Sequence, residues 1–213
     1  MKTSSWLSLV VLAALLLQGC ELALLGAAGG AAFTAFEDRR TSGTQIEDER
    51  IELITGNRIG ERFRDKVHVN ATSYNRWVLL TGEAPDEATR GEIEKIVLAV
   101  QNVRGVANEI QVAGISALGA RATDSFVTSK VKARFVDARK FSPVHVKVVT
   151  EASVVYLLGV VTDKEADDAV EIARTTGGVR KVVKIFEHCK ATDEVCRPRS
   201  KPDAEQTKAK PAS

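Results

Sequence analysis

Cysteine and histidine are the residue types here with the widest reactive chemistry, and each occurs only three times. Cysteine serves as a nucleophile, a metal ligand or half of a disulfide, and histidine as a base or a metal ligand. His68 and His145 occupy equivalent places in an internal repeat, so their recurrence reflects duplication. No serine or cysteine nucleophile is accompanied by a suitable base, and no glycine-rich nucleotide loop follows a strand. The sequence therefore predicts a protein that is not an enzyme, with no cofactor, no metal and no small-molecule substrate.

Cys189 and Cys196 lie close together near the carboxyl terminus. In an oxidising compartment they are expected to form a local disulfide. The loop-entropy argument gives so short a loop a stabilisation of roughly 2.5 kcal/mol. A metal site that includes His188 is the alternative, but the segment offers too few ligands for it.

Cys20 follows an apolar stretch at residues 6–17 that is interrupted only by a serine. The stretch has the length of the apolar region inside a cleavable signal peptide and is shorter than a membrane span, which needs about 20 apolar residues. Its end, Leu-Gln-Gly-Cys at residues 17–20, resembles the lipobox of bacterial lipoproteins. That resemblance implies cleavage after Gly19 and acylation of Cys20. Several acyl chains together make a stable membrane anchor. The alternative is an ordinary signal peptide in which Cys20 is incidental.

The residue after Cys20 is Glu21. In lipoproteins of this kind aspartate at that position favours retention in the inner membrane, so the resemblance implies export to the periplasmic face of the outer membrane. Residues 21–36 are small, apolar and rich in glycine, which predicts a flexible tether.

The overall charge argues against nucleic acid as a partner. The full sequence has a formal net charge of only +2 at pH 7, whereas proteins that bind nucleic acid usually carry a strong basic excess. The aromatic content of 5% is low, which indicates small domains built from Val, Ile, Leu and Ala.

An internal repeat organises the rest of the chain. Val-His-Val at residues 67–69 recurs at residues 144–146, 77 positions later. The same offset relates a leucine and a glycine that follow: Leu80 and Gly82 with Leu157 and Gly159. Two copies of one small domain therefore account for most of the mature chain.

Each copy is predicted to run helix, strand, strand, helix, strand. Apolar residues at helical spacing define the buried face of the first helix: Ile51, Thr55 and Ile59 in copy one, and Val127, Val131 and Phe135 in copy two. Pro85 is expected at the first position of the second helix of copy one, and Thr162 with Glu165 predicts a capping box in copy two. Gly56 and Asn57 should weaken the first helix. Trp77 and Tyr156 are expected in the core.

These features in this order resemble the BON domain: an alternating strand, a strand ending in glycine, a capped helix and a final strand after Val-Arg. Two such domains behind a lipobox are similar to the dual-BON outer-membrane lipoproteins of the DolP (YraP) group. The resemblance implies an α+β fold of two tandem αββαβ BON domains, each with a small three-stranded mixed sheet packed on two helices. It covers about residues 41–187. The tail with two cysteines departs from the pattern.

The two copies differ in charge around their first helices. Residues 46–66 carry six acids and five bases, whereas residues 123–140 carry two acids and five bases. Phe126, Lys130 and Arg134 share one helical face, and an aromatic beside basic residues suits an anionic lipid surface. The resemblance implies the same role, since dual-BON lipoproteins bind anionic phospholipid through this helix. The alternative is that Phe126 packs in the core and the bases form a solvated face.

The family resemblance further implies a role in outer-membrane integrity, with a link to the division site. The alternative function is a protein-interaction adaptor, or scaffold, for envelope-assembly or division proteins. Both functions suit the organisation expected along the chain: a signal peptide at 1–19, a lipidated tether at 20–45, BON domain 1 at 46–113, a linker at 114–122, BON domain 2 at 123–188, and a largely disordered tail at 189–213.

Overall fold

Each half of the chain folds in the predicted order. The computed structural model describes residues 38–190 and 192–196; the signal peptide, Cys20, residues 21–37 of the tether and the end of the tail lie outside the described residues. The elements of the first half are α1 (Ser42–Phe63), β1 (His68–Tyr74), β2 (Trp77–Ala84), α2 (Glu87–Leu98), β3 (Gly105–Asn108) and β4 (Gln111–Val112). Those of the second half are α3 (Leu118–Ala138), β5 (Val146–Glu151), β6 (Val154–Val161), α4 (Asp163–Arg174) and β7 (Lys181–His188). The α+β class is confirmed.

The first sheet departs from the predicted three strands in its last strand. β1 is antiparallel to β2, while β3 and β4 both run parallel to β2 as two pieces of one interrupted strand. The interruption occurs where Ile110 turns into the core, with 2% of its surface exposed. The Asn108 side chain accepts a hydrogen bond from the Ile110 backbone N–H at 3.3 Å. The second sheet has the predicted three strands, in the order β5-β6-β7.

Three of the four described helices begin at a side-chain cap. The capping box between Thr162 and Glu165 is present at the start of α4, as predicted. The expectation for Pro85 was wrong: Asp86 caps α2, its carboxylate accepting from the Thr89 backbone N–H at 2.7 Å. Because an aspartate cap satisfies a free backbone donor, the helix begins one residue after it.

Helix α1 is continuous through its Gly-Asn pair, and the segment around His145 corrects the sequence interpretation. Gly56 and Asn57 do not interrupt α1, because its face carrying Ile51, Thr55 and Ile59 is buried along the whole helix. Tertiary packing here outweighs weak local helix propensity. The second Val-His-Val motif does not lie wholly on a strand as the first copy's repeat would suggest: His145 lies in a 3-10 turn, Pro143–His145, and β5 begins at Val146.

Each half has its own hydrophobic core, which lies between its helices and its sheet. The predicted apolar face of each first helix is buried against the inner face of its own sheet. Val78 and Leu80 of β2 lie in one core, and Val155 and Leu157 of β6 occupy the equivalent places in the other. This arrangement follows from the alternation of side chains along a strand.

The opposite faces of the two sheets pack against each other. Their shared apolar cluster contains Tyr74, Leu79, Tyr156, Leu158, Val160 and Cys196. Tyr156 is buried there, as expected, whereas Trp77 lies only half-buried at the start of β2. The result is a four-layer arrangement of helices, sheet, sheet and helices. Among the described residues, no helix is both long enough and apolar enough to cross a bilayer.

A pair of arginines before α1 connects the two halves. The Arg39 guanidinium donates to both carboxylate oxygens of Glu165, at 2.7 and 3.0 Å, and to the Val160 carbonyl at 2.8 Å. Arg40 donates to Asp48 at 2.8 Å and lies 4.0 Å from the centroid of the Tyr74 ring. The first arginine therefore binds the second domain, and the next binds the first domain. We refer to Arg39 and Arg40 as the arginine clasp.

The clasp predicts an acid-dependent loss of stability. Burial alone would raise the pKa of Glu165, but hydrogen bonds from His145, Arg39 and Thr162 outweigh it and hold that pKa well below its usual range. A carboxylate with a lowered pKa contributes stability above its unfolded pKa of about 4.3 and loses it as the pH falls. Arg39→Ala should therefore lower the free energy of unfolding by about 1–2 kcal/mol at neutral pH.

Urea unfolding of both proteins between neutral and acid pH measures this difference. We expect it to shrink steadily as the pH falls below about 4, since the protonated carboxyl no longer attracts Arg39. A difference that stays constant down to about pH 2 would contradict the role assigned to Glu165.

Candidate functional site

Helix α3 has apolar residues on two opposite faces. Val127, Val131 and Phe135 are buried in the core of the second domain. At about 100° per residue, the face turned away from the core is formed by Leu118, Ala122, Phe126, Ser129, Ala133 and Val136. Leu118 is 79% exposed, Phe126 64% and Val136 53%. We call these six residues the α3 stripe.

Phe126 therefore lies outside the core, unlike the alternative considered from the sequence. Leu118 and Val136 extend the exposed apolar surface by two turns before Phe126 and nearly three turns after it. Sequence reasoning missed them because it followed the basic residues. Their spacing from Phe126, eight residues before and ten after, is the signal that identifies them.

Lysines lie on both sides of the α3 stripe. Lys130 Nζ lies 5.1 Å from the centroid of the Phe126 ring and donates to the Gly177 carbonyl. Lys132 is exposed on the other side and makes no side-chain hydrogen bond or ion pair within the described segments. An apolar surface between two cationic borders is the arrangement of helices that lie at a membrane surface.

Arg134 is turned away from the stripe and holds α4. Its guanidinium donates to the Ile172 carbonyl at 2.8 Å, to Thr176 Oγ1 at 2.7 Å and to Thr175 Oγ1 at 3.1 Å. A cation at the carboxyl end of a helix interacts favourably with its free carbonyls and dipole. The geometry thus gives Arg134 a positioning role, and its contact with phospholipid stays a prediction.

A buried aspartate fixes α3 to the rest of the second domain. Asp124, six residues after Leu118 on α3, accepts hydrogen bonds from the backbone N–H groups of Ala152 and Ser153, both at 2.9 Å. Those two residues form the turn between β5 and β6 and have φ of 49° and 63°. The carboxylate therefore supports a strained hairpin turn and fastens the helix to it, which sequence reasoning did not foresee.

The first domain has an equivalent buried aspartate but no aromatic residue at the place of Phe126. Asp48 takes the place of Asp124 and binds the turn at Asn75 and Arg76. At the place of Phe126 stands Arg50, which pairs with Glu47 at 2.6 Å. The first helix therefore presents a mixed-charge surface at the position where α3 presents an aromatic ring.

Cys189 and Cys196 are disulfide-bonded in the structure, with Cα atoms 6.1 Å apart. That separation lies in the normal range for disulfides. Cys196 is 4% exposed and belongs to the cluster between the sheets. The bond therefore fixes the start of the tail against the domain junction.

The junction also holds one group of side chains of the metal-binding type. His68, Glu83 and Glu151 each offer one ligand atom, and these atoms all lie within 4.8 Å of one another. Burial and the nearby charge of Glu83 raise the pKa of Glu151. The predicted lipidation site, Cys20, lies outside the described residues.

Known proteins resemble this chain across both halves. The BON domain family matches residues 47–114 and 123–187. The outer membrane lipoprotein DolP of Haemophilus influenzae is 37% identical over 185 residues, which cover 85% of this chain and 95% of that protein. The 21 kDa hemolysin of Actinobacillus pleuropneumoniae is 29% identical over 153 residues, covering 71% of this chain and 79% of that protein. The family match includes β1–β4 of the first half and, in the second half, the part of α3 from residue 123 onward.

Proposed function

This chain belongs to the BON domain family, as a dual-BON lipoprotein anchored by lipid in the outer membrane, and from that premise we propose that it binds anionic phospholipid through the α3 stripe. The binding is non-catalytic. It gives the protein a second attachment to the bilayer, beside the lipid on Cys20. A protein attached twice supports the integrity of the outer membrane and collects where anionic lipid is enriched, such as the division site.

The single observation that carries this proposal is the exposed apolar stripe between Lys130 and Lys132. Full burial of a side chain of the size of Phe or Leu gains about 1.5–3 kcal/mol. Each lysine near an anionic surface adds on the order of 1 kcal/mol. Phe126 and Leu118 are mostly exposed in the folded protein, so entry into the headgroup layer recovers apolar burial that the fold leaves unused.

Vesicle co-sedimentation tests the proposal. The full mature chain with Cys20→Ser removes the acyl anchor, so any binding must come from the folded domains. We expect it to sediment with vesicles of phosphatidylglycerol and phosphatidylcholine and to remain in solution with pure phosphatidylcholine. Phe126→Glu with Lys130→Glu should weaken binding at least about 50-fold, because both the inserted ring and one charge are lost.

Matched controls come from the equivalent helix of the first domain. Ile46 and Leu53 of α1 are 67% and 65% exposed, as much as Phe126. Ile46→Glu with Leu53→Glu should leave sedimentation unchanged, while Leu118→Glu should weaken it. Equal sedimentation of the Phe126→Glu and Lys130→Glu double variant and the wild type would refute the assignment to α3.

A further inference from the structure

Three side chains from three strands meet between the two sheets. His68 is on β1, and its Cα is paired in register with that of Glu83 on β2. Glu151 is the last residue of β5, in the second domain. His68 Nδ1 lies 3.0 Å from Glu83 Oε2. The cluster therefore takes two members from the first domain and one from the second.

The charge in this cluster is not balanced by protein groups. Glu83 and Glu151 are 6% and 8% exposed. Within the described residues, the ion pair of Glu83 is with His68, and the Glu151 carboxylate accepts a single side-chain hydrogen bond, from Asn70 at a long 3.4 Å. No lysine or arginine among them pairs with either carboxylate. Two buried carboxylates facing one imidazole are costly, because each buried charge needs a close partner.

We propose that His68, Glu83 and Glu151 form a binding site for a divalent transition-metal ion, with Zn²⁺ as the best fit. One imidazole nitrogen and two carboxylate oxygens are a ligand set that Zn²⁺ takes, with water in the fourth place. Mg²⁺ and Ca²⁺ prefer oxygen ligands alone and a larger number of them. A dication here balances both carboxylates and joins the two domains through their own side chains.

The fit also rests on the place of Glu151. More than nine-tenths of this residue is buried, and the one side-chain hydrogen bond that its carboxylate accepts within the described residues, from Asn70, is long at 3.4 Å. Metal–oxygen contacts of about 2.0–2.2 Å require the three ligand atoms to draw closer together.

Isothermal titration of the full mature chain with ZnCl2 tests this site. Cys20→Ser removes a competing thiol, and the protein is kept oxidised so that Cys189 and Cys196 stay bonded. We expect one equivalent of Zn²⁺ to bind and to raise the melting temperature, with no binding of Mg²⁺ or Ca²⁺ at the same concentration. Glu151→Gln and His68→Gln, which keep size and polarity, should each weaken Zn²⁺ binding at least about 10-fold.

The exposed pair of His188 and Asp163 provides the matched control. His188 Nδ1 lies 2.6 Å from Asp163 Oδ1, so this is also a histidine–carboxylate pair, but it is at the surface. His188→Gln should leave Zn²⁺ affinity and stoichiometry unchanged. Circular dichroism and melting without metal check that each variant is folded.

X-ray absorption of the Zn²⁺ complex gives a readout that does not depend on the variants. We expect one nitrogen and two or three oxygen ligands, with no sulfur. Absence of Zn²⁺ binding, full affinity in both His68→Gln and Glu151→Gln, loss of binding in His188→Gln, or a sulfur ligand would each overturn the proposal. Vesicle binding through the α3 stripe is measured without metal, so either proposal can fail alone.

Discussion

Replacement of Asp48 by alanine is expected to lower the free energy of unfolding by about 3–5 kcal/mol, a large part of the stability of a small protein. Asp48 is 2% exposed. It accepts from Ser73 Oγ at 2.7 Å, from the backbone N–H groups of Asn75 and Arg76 at 2.9 and 2.7 Å, and from Arg40 at 2.8 Å. Alanine removes the acceptor of the Ser73 hydroxyl and of two backbone N–H groups, and leaves Arg40 with Asp38 as its remaining carboxylate partner.

Chemical denaturation with urea measures this loss, and two further variants locate its source. Asp124→Ala should cost less, about 1–3 kcal/mol, because Asp124 accepts from two backbone donors and has no arginine partner among the described residues. Asp48→Asn keeps the shape of the side chain and one acceptor oxygen. Its loss of unfolding free energy should therefore lie between those of Asp124→Ala and Asp48→Ala. An Asp48→Ala protein as stable as the wild type would show that the hairpin and Arg40 do not depend on this carboxylate.

Replacement of Gly82 by alanine is expected to destabilise the first domain by about 3 kcal/mol or more. Gly82 has φ of +111°, a backbone conformation that side chains rarely adopt, and a Cβ there would lie 1.9 Å from the carbonyl oxygen of His68 on the neighbouring strand. The substitution therefore strains the residue and forces β1 and β2 apart at the place where they are paired.

Thermal melting followed by circular dichroism measures this effect, and Gly91→Ala is its control. Gly91 lies inside α2, and a Cβ there meets nothing within 4 Å. Alanine in a helix interior is favoured over glycine by about 0.5–1 kcal/mol, so Gly91→Ala should raise the melting temperature. If Gly82→Ala melts at the wild-type temperature, the close approach of the two strands does not constrain residue 82.

Periodicity in the sequence predicted the helices of each domain and the faces that they bury. The spacing of Ile51, Thr55 and Ile59 on one helix, and of Val127, Val131 and Phe135 on another, placed both helices and their buried faces. These are local patterns, because every residue of one face repeats at a fixed interval. The order of elements and the capping box at Thr162 followed from signals of the same local kind.

The packing of the two sheets against each other was not predicted, because it depends on contacts between residues that are far apart in the sequence. A signal was nevertheless present: residues 154–158 of β6 are apolar without alternation, which is typical of a strand buried on both faces. The partners of Asp48 are distant in sequence, and pairwise contacts of that kind leave no periodic trace. At the α3 stripe the sequence identified Phe126 and Lys130, but the engagement of Arg134 with α4 required the coordinates.

The packing of one sheet on the other has an internal symmetry. Tyr74 and Glu151 are equivalent positions in the two repeats, as are His68 and His145. Tyr74 Oη donates to the His145 carbonyl at 3.3 Å, and the symmetry-related contact joins Glu151 to His68. This is the reciprocal pattern of a two-fold dimer, in which one patch binds its own copy. A tandem chain holds the two patches at a high effective concentration, so the pairing no longer depends on how much protein the cell makes. Because the two domains belong to one chain, equivalent positions in them need not hold the same residue. At one of the two equivalent contacts, a histidine and two buried carboxylates therefore come together.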